Sequence, residues 1–173
     1  MLVCSRKQKG FKSYLINRWD FGSFYISLFF ILRGDRIVIG EVRGSEAIDM
    51  LQALNTGHDG SLSTGHANSS NDMLTRLETM VLMGMDLPLA AVRRQIASGV
   101  DIIIHLGRLR DKSRRVLEIV EILGYENDEI RTKPLYQFQE TGEEDGRVIG
   151  KFEKVNEITH IGKLHAAGLC EED

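Results

Sequence analysis

Arg36-Ile-Val-Ile-Gly-Glu-Val-Arg-Gly44, followed by Thr56-Gly-His-Asp-Gly-Ser-Leu-Ser-Thr-Gly-His-Ala-Asn68, decides how this chain is read. Ile37, Val38 and Ile39 run without alternation, which predicts a strand over residues 36–42 buried on both faces. The run ends in a carboxylate, Glu41. In open α/β sheets, ligands and catalytic groups collect beyond the carboxyl ends of parallel strands. Glu41, His58 and His66 are therefore candidates for one site.

Outward from this stretch the pattern alternates. Ser45 is the expected N-cap of a helix whose Ala47, Met50, Leu51 and Leu54 recur at i, i+3, i+4 and i+7, and Asn55-Thr56-Gly57 is its stop. Residues 60–65 read as a short strand rich in small hydroxyl side chains, unusual for core and natural for a strand lining a site. A second helix opens at Ser70 or Asn71, buries Met73, Leu74, Leu77, Met80 and Val81, and ends at Gly84. A third starts at Asp86-Leu87-Pro88, turns Leu89, Val92 and Ile96 inward, and closes at Gly99. Residues 100–106 look like another buried strand.

Beyond Arg108 the periodicity changes. Strand-like runs at 114–123, 130–139 and 147–153 are separated by turn clusters at Arg110-Asp111-Lys112-Ser113, Glu126-Asn127-Asp128 and Gly142 to Gly146. An antiparallel appendage after an α/β core is expected, with a short helix near Ile161–Leu169 ending the chain.

The chain has 173 residues, 42% hydrophobic and 27% charged, enough for one ordinary domain with a real core. Its formal net charge is −3, split as +5 in residues 1–33 and −8 in residues 34–173. That acidic balance argues against a nucleic-acid motor. Cys4 and Cys170 form no CxxC, so neither a disulfide framework nor a cysteine metal site is supported, and a reducing cytosol is the default. The apolar run from Phe21 to Leu32 follows a basic stretch. It is too short to span a bilayer as a helix, and Arg-Gly-Asp-Arg follows where a small-residue cleavage site would stand. A buried strand, or a segment not native to the fold, is the preferred reading.

Several chemistries are open to the candidates. Glu41 could polarise a water or help hold a metal-bound phosphate; equally, it could cap the next helix or pair with Arg43. His58 and His66 each follow a glycine (Gly57, Gly65), which would let the backbone approach a ligand, and imidazole can donate to a phosphoryl oxygen. His/His/Glu is also a possible zinc set, although no HExxH helix accompanies it. Arg76 could reach the site or a subunit boundary, or form a surface pair with Glu78 or Asp72. His105 reads as a satisfied core histidine. No Gly-x-x-x-x-Gly-Lys-Ser/Thr occurs; the two Gly-Lys pairs, at Gly150-Lys151 and Gly162-Lys163, are followed by Phe and Leu.

Arg36 to Gly44 resembles the Walker B segment of the type II/type IV secretion and pilus-assembly ATPases, and Thr56 to Asn68 resembles their His box. The wording Met-Leu-Gln-Ala-Leu-Asn-Thr-Gly-His-Asp-Gly-Ser-Leu-Ser-Thr-Gly-His-Ala-Asn with Arg76-Leu-Glu-Thr-Met80 is most similar to the tight-adherence (Flp) pilus branch, the CpaF/TadA ATPases. The resemblance covers residues 35 to 169. It implies the C-terminal half of a RecA-like P-loop NTPase core over residues 34–173, behind an unrelated or poorly ordered segment, 1–33.

In such proteins the Walker B glutamate, here Glu41, supports Mg²⁺ indirectly and the attacking water. The second His-box histidine, His66, contacts the γ-phosphate with His58 assisting, and Arg76 matches a further position of the family. ATP and Mg are the implied cofactors. A homo-hexamer and an inner-membrane secretion platform are the implied partners, and the cytoplasmic face of the membrane is the implied location. Without a phosphate loop the isolated chain is expected to be inactive. The alternative is a non-catalytic module that docks on an intact secretion ATPase or its membrane platform.

Overall fold

A computed structural model describes residues 36–58 and 60–162, His165, Gly168, and the backbone of residues 2–4 and 13–16. The apolar run from Phe21 to Leu32 lies outside the described residues.

One eight-stranded sheet organises these residues. Its strands are β1 (Leu2–Cys4), β2 (Ser13–Ile16), β3 (Arg36–Ile39), β4 (Leu62–Thr64), β5 (Ile102–Arg108), β6 (Arg114–Glu126), β7 (Glu129–Glu144) and β8 (Arg147–Lys154), in spatial order β2-β3-β4-β1-β5-β6-β7-β8. Three helices follow β3 and β4: α1 (Ala47–Asn55), α2 (Ser70–Gly84) and α3 (Leu89–Gly99).

β2, β3 and β4 are parallel neighbours, whereas β1 is antiparallel to both β4 and β5. β4 and β5 therefore run the same way, with β1 reversed between them. From β5 onward every pairing is antiparallel. The expected change from an α/β core to an antiparallel appendage is thus present, and it falls at β5. Backbone from residues 2–4 and 13–16 pairs into the same sheet.

The core lies on one face. Ile37, Ile39, Ile103 and Ile122 meet Met50, Leu51, Leu77, Val81, Val92 and Ile96, all buried. Val38 is only half-buried, so β3 is closed on one face rather than on both as its unbroken apolar run implies. Asn55, read as part of a stop signal, also joins two helices: its Nδ2 donates to Leu51 O and Gln95 O, and its Oδ1 accepts from Ser98 Oγ.

Two hairpin turns explain the length of the appendage strands. Asn127 and Asp128, with φ of 52° and 62°, and Asp145 and Gly146, with φ of 49° and 72°, occupy the left-handed region. That is the geometry of a two-residue turn matching the strand twist. β7 therefore runs on to Glu144, absorbing Gly142 through a register shift between Glu140 and Gly142, where sequence pattern placed a loop. The β5–β6 turn folds toward the far edge strand: Asp111 Oδ2 accepts from Val148 N at 2.9 Å, and Arg115 donates to Val148 O at 3.3 Å. Most of the expected C-terminal helix falls outside the described residues; within them, His165 N donates to Ile161 O at 2.9 Å.

Candidate functional site

Parallel pairing puts the two motif ends side by side. Val38 stands opposite Leu62 and Ile39 opposite Ser63. The register carries on past the strands: Thr64 Oγ1 donates to Gly40 O, and Val42 N donates to Thr64 O at 3.0 Å. At the N-terminal side of the pair, buried Ser61 accepts from Ile37 N at 2.8 Å and donates to His58 O at 2.6 Å. The small hydroxyl residues of this strand thus fasten β3 to β4. With that register fixed, Glu41 and His66 emerge together from the carboxyl ends of two parallel strands.

They touch. His66 Nε2 lies 2.8 Å from Glu41 Oε1, and Arg43 Nη2 lies 2.6 Å from Glu41 Oε2. A hydrogen bond across that distance to an ionised Glu41 would need the ring proton on His66 Nε2. The Glu41 side chain is 14% exposed, against 75% for His66 and 49% for Arg43. The carboxylate is thus recessed and its two partners stand toward solvent. Hydrogen bonding to Glu41, more than simple attraction, raises the Arg43 guanidinium above its ordinary value. The main chain of Arg43 is fixed as well, since Glu46 Oε1 accepts from Arg43 N at 2.8 Å and Gly44 N at 3.2 Å. Glu46, not Ser45, occupies the N-cap of α1, its carboxylate gathering the loop's N–H groups while Ser45 lies in the lead-in turn.

His66 and Arg43 line an open groove of about 410 Å³ along α2, together with Asn68, Thr75, Arg76 and Met83. Arg76 forms no ion pair among the described residues, because Glu78, its expected neighbour, is taken by Arg93 Nε at 2.8 Å. Two guanidinium groups and an imidazole N–H therefore border one groove, with Asp72 the acid on its wall. Planar guanidinium forks and imidazole suit phosphate oxygens. For an oxygen-ligated divalent cation, Glu41 is the carboxylate at hand, and both of its oxygens are engaged. No group of three His, Cys, Asp or Glu gathers among the described residues, so the His/His/Glu zinc set is not assembled there.

The two histidines are divided. His66 follows β4 and His58 precedes it, so they stand at opposite ends of the strand. His58 is buried at 7% exposure, and its Nδ1 lies 3.2 Å from Ala53 O at the end of α1. The glycines beside them also serve the fold. Gly57 has a φ of +92°, a left-handed turn after α1, and a Cβ on Gly65 would stand 2.5 Å from Met73 Cε and 3.0 Å from its Sδ.

A supporting residue absent from the sequence-based candidates is Glu118 on β6. Its Oε1 accepts from Ser70 Oγ at 2.7 Å and Ser70 N at 3.2 Å, and His105 Nδ1 lies 3.6 Å away. The 48-residue separation from Ser70 hides this contact from any local pattern. The reading of His105 as a core histidine agrees with its 9% exposure.

The family model described as "Type II/IV secretion system protein" matches residues 27–162. A predicted conjugal transfer protein of Mycobacterium tuberculosis is 46% identical over 88 residues, 51% of this chain and 25% of that protein. The conjugal transfer protein TrbB of Rhizobium radiobacter is 38% identical over 109 residues, 63% of this chain and 32% of its own length. Among solved structures, the VirB11 ATPase of the Brucella suis type IV secretion system, crystallised with sulphate, matches with a TM-score of 0.54 and 29% identity over 56% of this chain and 32% of its own. The chain spans about a quarter to a third of the length of these relatives. Because the family match takes in the strand leading to Glu41, the helices and the appendage strands, this chain belongs to the type II/IV secretion system protein family.

Proposed function

We propose that this chain is the C-terminal part of a secretion ATPase motor, in which Glu41, His66, Arg43 and Arg76 face the terminal phosphate of ATP. The observation that carries the reading is the 2.8 Å contact between His66 and Glu41 at the carboxyl ends of two parallel strands, beside a groove bordered by Arg76. Phosphoryl transfer asks the protein mainly for positioning and charge stabilisation. The donor set fits a phosphate. Mg²⁺, when bound with ATP, would neutralise charge on the phosphate oxygens.

This chain's own residues divide the remaining work. The exposed His66 ring turns easily, so its Nε2–H can leave Glu41 for a phosphoryl oxygen. Glu41 Oε1 can then accept a hydrogen bond from a water and orient it. Arg43 holds the carboxylate aimed through Oε2, while Arg76 adds positive charge from α2. His58 belongs to the packing that holds β4, and any help to His66 is indirect.

Within the family, the tight-adherence pilus branch is the proposed assignment. The complete motor would couple ATP hydrolysis to pilus assembly or export as a hexamer on an inner-membrane platform. No helix among the described residues is long and apolar enough to cross a membrane. Peripheral attachment to the inner face is part of the proposal. The 173 residues carry no Gly-x-x-x-x-Gly-Lys-Ser/Thr, so turnover by this chain alone is expected at background.

Titration of the labelled chain with Mg·ATP and with inorganic phosphate tests the reading, followed through the His66 ring and the Arg43 and Arg76 side-chain resonances. Weak, saturable shifts at all three, lost in His66→Ala/Arg76→Ala, are expected. Unmoved resonances, or equal binding by the double variant, would remove the groove's assignment. Turnover abolished by Glu41→Gln would instead overturn the expectation that the isolated chain is inactive. The docking-module alternative predicts co-purification with an intact homologue and no change in that homologue's phosphate site.

A further inference from the structure

We infer that Glu118, on antiparallel strand β6, is a positioning residue for His66, tying the candidate phosphate site to the appendage. α2 begins four residues after His66, so the first turn of that helix sets where the loop carrying the imidazole comes to rest. Two carriers hold the turn. Ser69 Oγ accepts from Asp72 N at 3.0 Å, an ordinary local cap. The second is distant: Ser70, 4% exposed, directs both its N–H and its hydroxyl at Glu118 Oε1. A carboxylate at a helix N-terminus meets unpaired N–H groups and the positive end of the helix dipole, and its hydrogen bonds are of the stronger, charged kind. His105, paired with Glu118 across β5 and β6, sits 3.6 Å from the same oxygen.

The same turn reaches back to His66. Met73 is fully buried and its thioether occupies the space a side chain on Gly65 would need. Displacing the first turn of α2 therefore moves Met73 against Gly65, the residue bonded to His66, and changes the distance from Nε2 to Glu41. Glu118 acts through Ser70 and Met73; it does not touch the groove. The physiological meaning of the inference rests on the proposed function, but the coupling itself is measurable without nucleotide.

Long-range ¹H–¹⁵N spectra of the His66 ring in the full chain report whether Nε2 holds the proton shared with Glu41, with Glu41→Gln as the control that alters that signature directly. In Glu118→Ala, amides of Asn71 to Met73 should exchange about five- to tenfold faster. The His66 ring should also lose its Nε2–H preference. Glu118→Gln, which keeps an acceptor, should return most of both effects. If Glu118→Ala does not fold, Ser70→Ala removes one donor and should give smaller changes in the same sense. Faster exchange with an unchanged His66 ring would mean a merely structural cap and would overturn the inference, as would no change in either readout. A phosphate titration that leaves wild-type His66 unmoved would sink the proposed function while leaving this coupling standing.

Discussion

Glu41 in the parallel half and Glu121 in the antiparallel half are both recessed carboxylates, and the fold treats them in opposite ways. Glu121 is fully buried on β6 and accepts from the main-chain N–H groups of Thr159 and His160, both at 2.8 Å. His160 Nδ1 stands 3.4 Å away. These donors lie on the segment after β8, which crosses β7: Val155 N donates to Leu135 O, and Lys133 Nζ donates to Thr159 Oγ1 at 2.8 Å. Glu41 is instead met by two exposed side chains that can move away. A carboxylate satisfied by backbone is a fixed structural element. One satisfied by solvent-facing cations can exchange partners, which is what a phosphate site requires.

The largest expected effect comes from breaking the structural member of the pair. Glu121→Leu strands two N–H groups and loosens the returning segment, and should lower unfolding free energy by about 3 kcal/mol. Urea denaturation would read the loss, and limited proteolysis should locate new cleavage within residues 155–162. Unchanged stability would show that Glu121 is not what holds that segment down.

Second in size is Gly65→Ala, which sharpens the comparison on the side of the parallel half. Met73 is buried, so its thioether has little room to yield to a new Cβ. A cost of about 1–3 kcal/mol follows from overpacking. Combined with Met73→Ala, the two losses should sum to less than the separate values, since the smaller side chain admits the methyl group. Additive losses would place the strain elsewhere.

Much of this was legible in the sequence. The 3.6-residue recurrence of apolar side chains located α1, α2 and α3, Gly84 and Gly99 marked two of the ends, and the strand-end Glu41 pointed to the histidine it meets. What escaped was non-local. Nothing near Ser70 announces a partner on β6, and no pattern in residues 1–33 reveals that short stretches of it pair with β3, β4 and β5. The assignment of His58 beside His66 misled because a three-residue strand separates neighbours in sequence to opposite ends in space. The glycines were read as room for a ligand, whereas Gly65 makes room for Met73.

Glu41→Gln should stand third. The pairs it weakens are exposed on their cationic side, so stability should change by less than about 1 kcal/mol. The His66 ring should nonetheless change its proton signature, because a neutral amide no longer demands a donor at Nε2. Chemical denaturation and ring spectra on one sample separate the two. A stability loss as large as that of Glu121→Leu would erase the distinction between the carboxylates.

The smallest effect concerns pH, and it tests whether the appendage edge is held by charge. Asp111 accepts from Ser113 Oγ, Val148 N and Ser113 N, which lower its carboxyl from the ordinary 3.8 to about 2, with Arg115 helping. A carboxyl depressed in the folded state stabilises above its unfolded value and loses that contribution as pH falls through the folded one. The stability difference between the wild-type chain and Asp111→Ala should thus be constant from neutral pH down to about 5. It should shrink between the ordinary value of 3.8 and about 2. Thermal unfolding of both proteins across that range measures the difference directly, and other carboxylates largely cancel. A gap that persists below pH 2 would mean that neutral hydrogen bonding, with no help from ionisation, fastens the β5–β6 turn to β8.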